Sequence, residues 1–452
     1  MKRIPPRGGV TLCVALCLPV AAWAQDRPTT PSPIVESVPA ALTPTFSQAP
    51  TAIAAAGAQR LSLRQAIELA LTHNPDLAAA TLEVDANEGV RQQAGAYPNP
   101  EIAYLQEDTQ RATRTTTLQL NQPIELGGKR TARLAAAERG YDIATEDLAA
   151  RRLALRAAVT TSYFDTLAAQ ERVRVADEAL ELAKRAARAA ALRVKAGKVA
   201  PIEETKARVA EAGVQVDANQ ARSELRGAQA RLAALLGQGQ PHALVLDGRL
   251  DALPTAPTLE DMQRQVENAP ALRRARLEIE RRMALTGLEK ARRIPDLTVS
   301  LGAKRDEELG RNQAVVGVSI PLPLFDRNQG NLLEALKRED KAREELKSAQ
   351  LQVSADALQA RERLESARME AGSLAAQVLP GAQSAFEAAV KGFELGKFSF
   401  LEALDAQRTL LEARVQSLHA MAEAHRARAE LDRILGSGDV ELTASAPAPA
   451  TR

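Results

Sequence analysis

Aromatic side chains are nearly missing from this sequence: one Trp, four Tyr and seven Phe, 3% of 452 residues. A compact core draws much of its buried area from such rings, so ordinary globular domains are excluded as the main architecture. Cysteine is rarer still, with only Cys13 and Cys17. Both lie in the first 24 residues, so the remainder can form no disulfide, thiolate metal site or Cys nucleophile. No later stretch reaches 18 apolar residues, which excludes a transmembrane helix there. An excess of one charge sign is also lacking. The formal net charge is +2, and loss of Lys2, Arg3 and Arg7 would make it −1. Polyanion binding takes a strong basic excess, so no nucleic-acid partner is expected.

What the chain does have is Ala, Leu, Arg, Glu and Gln in periodic order, a composition of long helices with narrow seams. Lys2, Arg3 and Arg7 precede the apolar run Val10 to Val20 and then Ala22-Trp23-Ala24. This reads as a secretory signal over residues 1–24, cleaved after Ala24; an uncleaved N-terminal anchor is the alternative. Leu12 and Leu16 precede the two cysteines, where a lipoprotein signal has a small residue. An exported chain without a membrane helix is periplasmic, secreted, or held in an outer membrane by strands. Residues 25–60 carry six prolines and read as a flexible lead segment, and 437–452 as a similar tail.

Between them lies an internal repeat. Pro123 matches Pro321, 198 residues on; Gly197-Lys198 matches Gly396-Lys397 and Leu236-Gly237 matches Leu435-Gly436, each 199 on. Tyr97-Pro98 has a looser counterpart in Ile294-Pro295, and Asn74-Pro75 in Ala269-Pro270. The chain divides into repeat 1 (61–237), a linker (238–257) and repeat 2 (258–436). Each repeat is predicted to run helix, strand, strand, very long helix, tight turn, helix, with the first helix opening at Ser62. Residues 101–106 and 115–122 alternate in polarity around a polar loop. Leu297 to Leu301 and Ala314 to Ile320 do so in repeat 2. That is a hairpin pattern.

The long helices carry heptads: Leu134, Tyr141, Leu148, Leu155, then Val173, Leu180, Ala187, Val194 after a stutter. In repeat 2, Leu346 to Leu374 forms one row, and Ala357, Leu364, Ala371, Val378, Ala385 the other. The seams are coiled-coil-like. Residues 128–195 as one helix would extend about 100 Å at ~1.5 Å per residue. Four membrane-length strands cannot close a barrel alone, and open edges are not tolerated in lipid. Other copies must complete it; a dimer, trimer or tetramer each satisfies the physics.

No enzyme signature is present. Glu125 to Arg130 fails as a phosphate loop because Arg130 replaces the Ser or Thr. His419 and His425 are six apart, not on one helical face, and His425 continues the row Leu404, Leu411, Leu418 into a seam. No cofactor and no metal ligands are expected. The two helix-to-helix turns are the candidate sites. Gly197 and Gly396 suit left-handed helix ends, and Pro201 a helix start. Val199, Phe398 and Phe400 are apolar at what should be exposed tips, which suggests docking. Past the tips lie Glu203 and Glu204, and Glu402 and Asp405. Carboxylates at one end of a helical tube can gate it or favour cations; the same charges also suit the first turn of a helix.

Together these features resemble the outer membrane factor (TolC-like) family over residues 61–436. Asn74-Pro75-Asp76-Leu77, Tyr97-Pro98-Asn99-Pro100-Glu101 and Gln122 to Arg130 resemble its heavy-metal (CzcC-type) branch. The resemblance implies a mainly α protein with a small β part: a homotrimer with a 12-stranded outer-membrane β-barrel and a periplasmic coiled-coil α-tunnel. It implies a duct in a tripartite efflux complex with a periplasmic adaptor and an inner-membrane RND-type pump, exporting cobalt, zinc or cadmium. The adaptor would dock at the tips Gly197, Lys198, Val199, Gly396, Lys397 and Phe398. The family's gating aspartates fall on Glu402 and Asp405, with Glu203 at the first tip; Glu402 departs from Asp. The alternatives are a duct for drugs or other organic compounds, and a periplasmic coiled-coil scaffold without a pore.

Overall fold

The computed structural model describes residues 60–238, 245–395 and 397–437, all within one unit, Ala55–Arg452. The expected leader 1–24, nearly all of 25–60 and 437–452, and Gly396 lie outside the described residues. The first repeat comprises β1 (Arg60–Leu61), α1 (Leu63–His73), α2 (Pro75–Ala94), β2 (Glu101–Glu107), β3 (Thr115–Ile124), α3 (Lys129–Lys195) and α4 (Pro201–Leu235). The second comprises β4 (Val245–Leu246), α5 (Leu259–Val266), α6 (Pro270–Ala291), β5 (Leu297–Asp306), β6 (Arg311–Ser319), α7 (Gln329–Ser373), α8 (Leu379–Glu394) and α9 (Phe400–Leu435). The architecture is the expected one: mainly helical, with a small sheet and the same order in both halves.

Two details of the helices differ from the sequence expectation. The single helix before each hairpin is a pair. Ser62 opens α1 through a reciprocal capping box with Gln65. The chain then turns at Asn74, whose Oδ1 accepts from the backbone N–H of Asp76 and Leu77 (3.0 and 3.2 Å). Pro75 begins the next helix, where its missing N–H costs nothing. The other difference is in the long helices. α3 runs 67 residues without a break, about 100 Å. Its counterpart is interrupted by a π-helical turn, Leu374–Val378, between α7 and α8. The buried seam steps by sevens through Val353, Ala360, Ala367 and Leu374. It then takes eight residues to reach Ala382 and seven more to Ala389. The wide turn inserts one residue and absorbs Pro380, which cannot donate to an i−4 carbonyl. Val378 and Ala385, expected in the seam, are exposed for that reason, Val378 by 44%.

The helices lie in a row. Toward the tips the order is α4, α3, α9 and then α7 with α8; toward the sheet it is α2, α3, α6, α7. Outside the ring cluster of Tyr163, Phe164 and His425, alanines dominate the seams and let the axes approach closely. Ion pairs fix the contacts between repeats: Arg426–Asp165 (2.6 Å) joins α9 to α3, and Arg273–Glu146 and Arg274–Asp147 (2.7 and 2.6 Å) join α6 to α3. The largest apolar cluster lies midway, where β1 and β4 pair in parallel and the end of the linker straps both repeats. Tyr163 is buried there, its hydroxyl 3.0 Å from the Leu61 carbonyl and 2.5 Å from that of Asp247. Desolvation and the Asp247 charge push its pKa up to about 12.

Candidate functional sites: the sheet and the helix tips

The two hairpins merge into one antiparallel sheet, because β3 pairs with β5 over its whole length; the order is β2-β3-β5-β6. Its register sorts side chains by polarity. Ile102, Leu120, Leu301 and Val316 stand side by side across all four strands. The next row on that face is Tyr104, Leu118, Ala303 and Ala314. Opposite, Glu101, Asn121, Ser300 and Gly317 form one row, and Glu107, Thr115, Asp306 and Arg311 another. The apolar band runs along β3 through Leu118, Leu120 and Ile124, about 20 Å at ~3.4 Å per residue, broken only by Gln122, whose amide donates to the Pro98 and Pro123 carbonyls (3.1 and 2.9 Å). It ends in the polar row Gln106, Thr116, Arg305 and Asn312. Ile102, Leu120, Leu301 and Val316 are all exposed. Leaving such side chains in water forgoes roughly 1.5–3 kcal/mol each, so the face is built for an apolar neighbour. β2 and β6 are edge strands with unpaired backbone.

Below the sheet, the strand-to-helix passage is tightly held. Lys129 pairs with Asp296 at 2.7 Å, and the same carboxylate accepts from Leu126 N–H (3.1 Å). Arg133 grips Glu125 (2.5 Å) and the carbonyls of Ala94 and Ala96. Gly127 has φ of +70°, and a Cβ there would stand 2.8 Å from the Ile294 Cβ. Only glycine satisfies both constraints. The Arg130 guanidinium lies 4.3 Å above the Tyr97 ring centre.

At the far end the two tips are neighbours. In the first, α3 closes with Lys198 N–H on the Arg193 carbonyl (2.9 Å) and Gly197 at φ +66°, a Schellman end. Lys198 is exposed, whereas Val199 is half-buried rather than fully presented. In the second, Gly396 is outside the described residues. Lys397 N–H bonds the Gly392 carbonyl (2.8 Å), and the Phe398 ring folds back over Gly392. Phe398 is still 46% exposed. Its apolarity therefore serves the tip's own packing as well as its surface. Arg193 ties the tips together, donating to the Phe393 carbonyl (3.0 Å) with its guanidinium 4.4 Å over that ring. Arg193 and Gly392 carry no motif of their own, yet they stand 199 residues apart, the offset of the tip glycines.

The tip carboxylates differ in their commitments. Glu203 pairs with Lys206 (3.3 Å) and Glu204 with Arg208 (2.5 Å). Glu402 accepts from Ser399 N–H (2.6 Å) in a capping box. Asp405 is exposed, and its carboxylate has no partner among the described residues. Among the described residues no group of His, Cys, Asp and Glu could hold a metal ion. His425 lies in the seam as expected, stacked on Phe164 at 3.6 Å, with Nε2 3.2 Å from the Leu250 carbonyl. Burial lowers its pKa.

The sequence profile of the outer membrane efflux protein family matches residues 66–238 and again 262–437. The cobalt-zinc-cadmium resistance protein CzcC of Cupriavidus metallidurans is 47% identical over 376 residues, 83% of this chain and 90% of that protein. The nickel-cobalt-cadmium resistance protein NccC of Alcaligenes xylosoxydans xylosoxydans is 28% identical over 64% of this chain and 67% of its own length. Among solved structures, the open state of the MtrE outer membrane channel of Neisseria gonorrhoeae superposes with a TM-score of 0.71. Its identity is 21%, covering 83% of this chain and 88% of that one.

Proposed function

Because the chain belongs to the outer membrane efflux protein family, we propose that it is the outer-membrane duct of a tripartite efflux system exporting divalent cations of the cobalt, zinc and cadmium kind. The observation that carries the duct is the sheet: one face apolar, one polar, both edges open, mounted on a helical stem about 100 Å long. Such a sheet meets lipid with one face and water with the other, and it must be closed by further copies. Three copies give twelve strands, within the range of bacterial barrels. The cation reading is supported by the 47% identity to CzcC. Residues 1–24 act as a cleaved export signal.

The duct carries no chemistry of its own. An inner-membrane pump of the RND type supplies the energy, and a periplasmic adaptor binds the tips at Gly197, Lys198, Val199, Gly396, Lys397 and Phe398. Glu203, Glu402 and Asp405 ring the tip end and favour cations there, with Asp405 the least committed to other contacts. A deletion strain grown on cobalt, zinc and cadmium salts and on organic toxicants tests the reading. The expected result is lost metal tolerance, restored by the intact gene. Lost tolerance to organic compounds with unchanged metal tolerance would replace cations with small organics as the cargo.

A further inference from the structure

The junction inside this chain specifies the junction between copies. The repeats superimpose on two fixed offsets: Tyr97-Pro98 and Ile294-Pro295 are 197 apart, and Pro123 and Pro321 are 198 apart. The hairpins obey both. Ile102 pairs with Leu120 in the first, and adding the offsets gives Val299 with Val318, the pairing found in the second. The same transformation carries the β3–β5 junction onto β6 and a β2 that this chain cannot supply. Its own β2 lies at the opposite edge of the sheet, three strand spacings away, about 14 Å at ~4.8 Å each. A second copy of the chain supplies it.

We propose that β6 pairs with β2 of the adjacent copy in the register Val318 to Tyr104, Ser319 to Ala103 and Ile320 to Ile102, and that Phe325 packs on Tyr97 of that copy. The first pairing is the image of Leu120 with Leu301, and the last of Gln122 with Val299. Polarity agrees without adjustment. Val318 and Tyr104 both lie on the apolar face, while Ser319 and Ala103 both lie opposite. Phe325 occupies the place of Gly127, and Tyr97 that of Ile294. Within the chain those two are in tight contact. Between copies both positions are aromatic, and both are uncovered here: Phe325 is 92% exposed and Tyr97 73%. The Arg130 guanidinium already covers one side of Tyr97. The ion pair Lys129–Asp296 maps to Arg327 and Asn99, so the seam between copies has no salt bridge there.

The proposal rests on the multi-copy duct and is tested in the full-length chain with Cys13→Ala and Cys17→Ala. Directly opposed residues in an antiparallel pair have Cβ atoms ~4.5–5.5 Å apart, closer at alternate pairs, within reach of a disulfide. One variant carries Val318→Cys with Tyr104→Cys, a second Ser319→Cys with Ala103→Cys. A third, two residues out of register, carries Ile320→Cys with Tyr104→Cys. Mild oxidation in membranes is expected to link copies in the better in-register variant at least ten times more than in the third. Equal or greater linking out of register overturns the register. Phe325→Cys with Tyr97→Cys should link as well, and failure there alone removes the aromatic contact. The native mass of the unmodified chain in detergent separates the readings. A single-copy mass defeats the duct itself, and a multi-copy mass with the wrong links defeats only this seam.

Discussion

The two long helices have the same job and different constructions. α3 is one unbroken rod of 67 residues, while its counterpart is cut by the π turn Leu374–Val378 beside Pro380. α3 is packed on both sides by elements of its own chain; α7 lies at the outer end of the row. A rod held from both sides must keep its seam in phase throughout. The outer helix can take an inserted residue, provided the seam resumes one position later, and Ala382 and Ala389 show that it does.

That contrast predicts opposite responses to the same change. Deleting one of residues 176–178 from α3 rotates everything toward the tip by ~100°, taking Leu180, Ala183, Ala187 and Ala190 out of the seam. Several buried contacts are then lost together, and the expected outcome is failed assembly, read as loss of the folded oligomer after detergent extraction. Deleting Ala376 together with Pro380→Ala removes the inserted residue and keeps Ala382 and Ala389 in phase. That variant should fold with stability within about 1–2 kcal/mol of the parent, the scale of an ordinary point change. Equal damage in both would erase the distinction.

A second comparison probes where the repeats agree. Leu232 and Leu431 stand 199 residues apart, and both are fully buried. Each truncation to Ala should cost about 2–5 kcal/mol, measured as a loss of thermal stability. A large difference between them would show that the matched halves are not energetically matched. Smaller still is the pH effect at His425. The folded pKa of His425 lies below its unfolded value because its seam is desolvated. The unfolded chain therefore binds the proton more readily, so stability is intact above the unfolded value near ~6.5 and falls as the pH drops below it. His425→Phe keeps the stack on Phe164 and should flatten the melting temperature between pH 7 and 5. An unchanged slope would mean that another group sets it.

Much of this molecule was legible before its structure. Period-two alternation placed the strands, and heptads placed α3, because the residues that pack are the residues that repeat. The repeat itself foretold a sheet of two hairpins. The π turn was not legible, since Val378 and Ala385 continue a good heptad on paper; only Pro380 hinted that an i−4 bond was missing. The break at Asn74 is announced only by the dipeptide Asn-Pro, a cap followed by a helix start. At the tips, sequence could show that Phe398 was apolar at a turn. It could not show the ring lying on Gly392, a contact made by folding back six residues.

On the proposed function, copies of this chain enclose a cation-favouring path through the outer membrane. Conductance in planar bilayers, with zinc chloride at unequal concentrations on the two sides, tests it most directly. Discrete steps with a reversal potential on the cation side are predicted, weakened by Glu402→Gln with Asp405→Asn. Inserted protein that gives no steps, or steps preferring chloride, would contradict it.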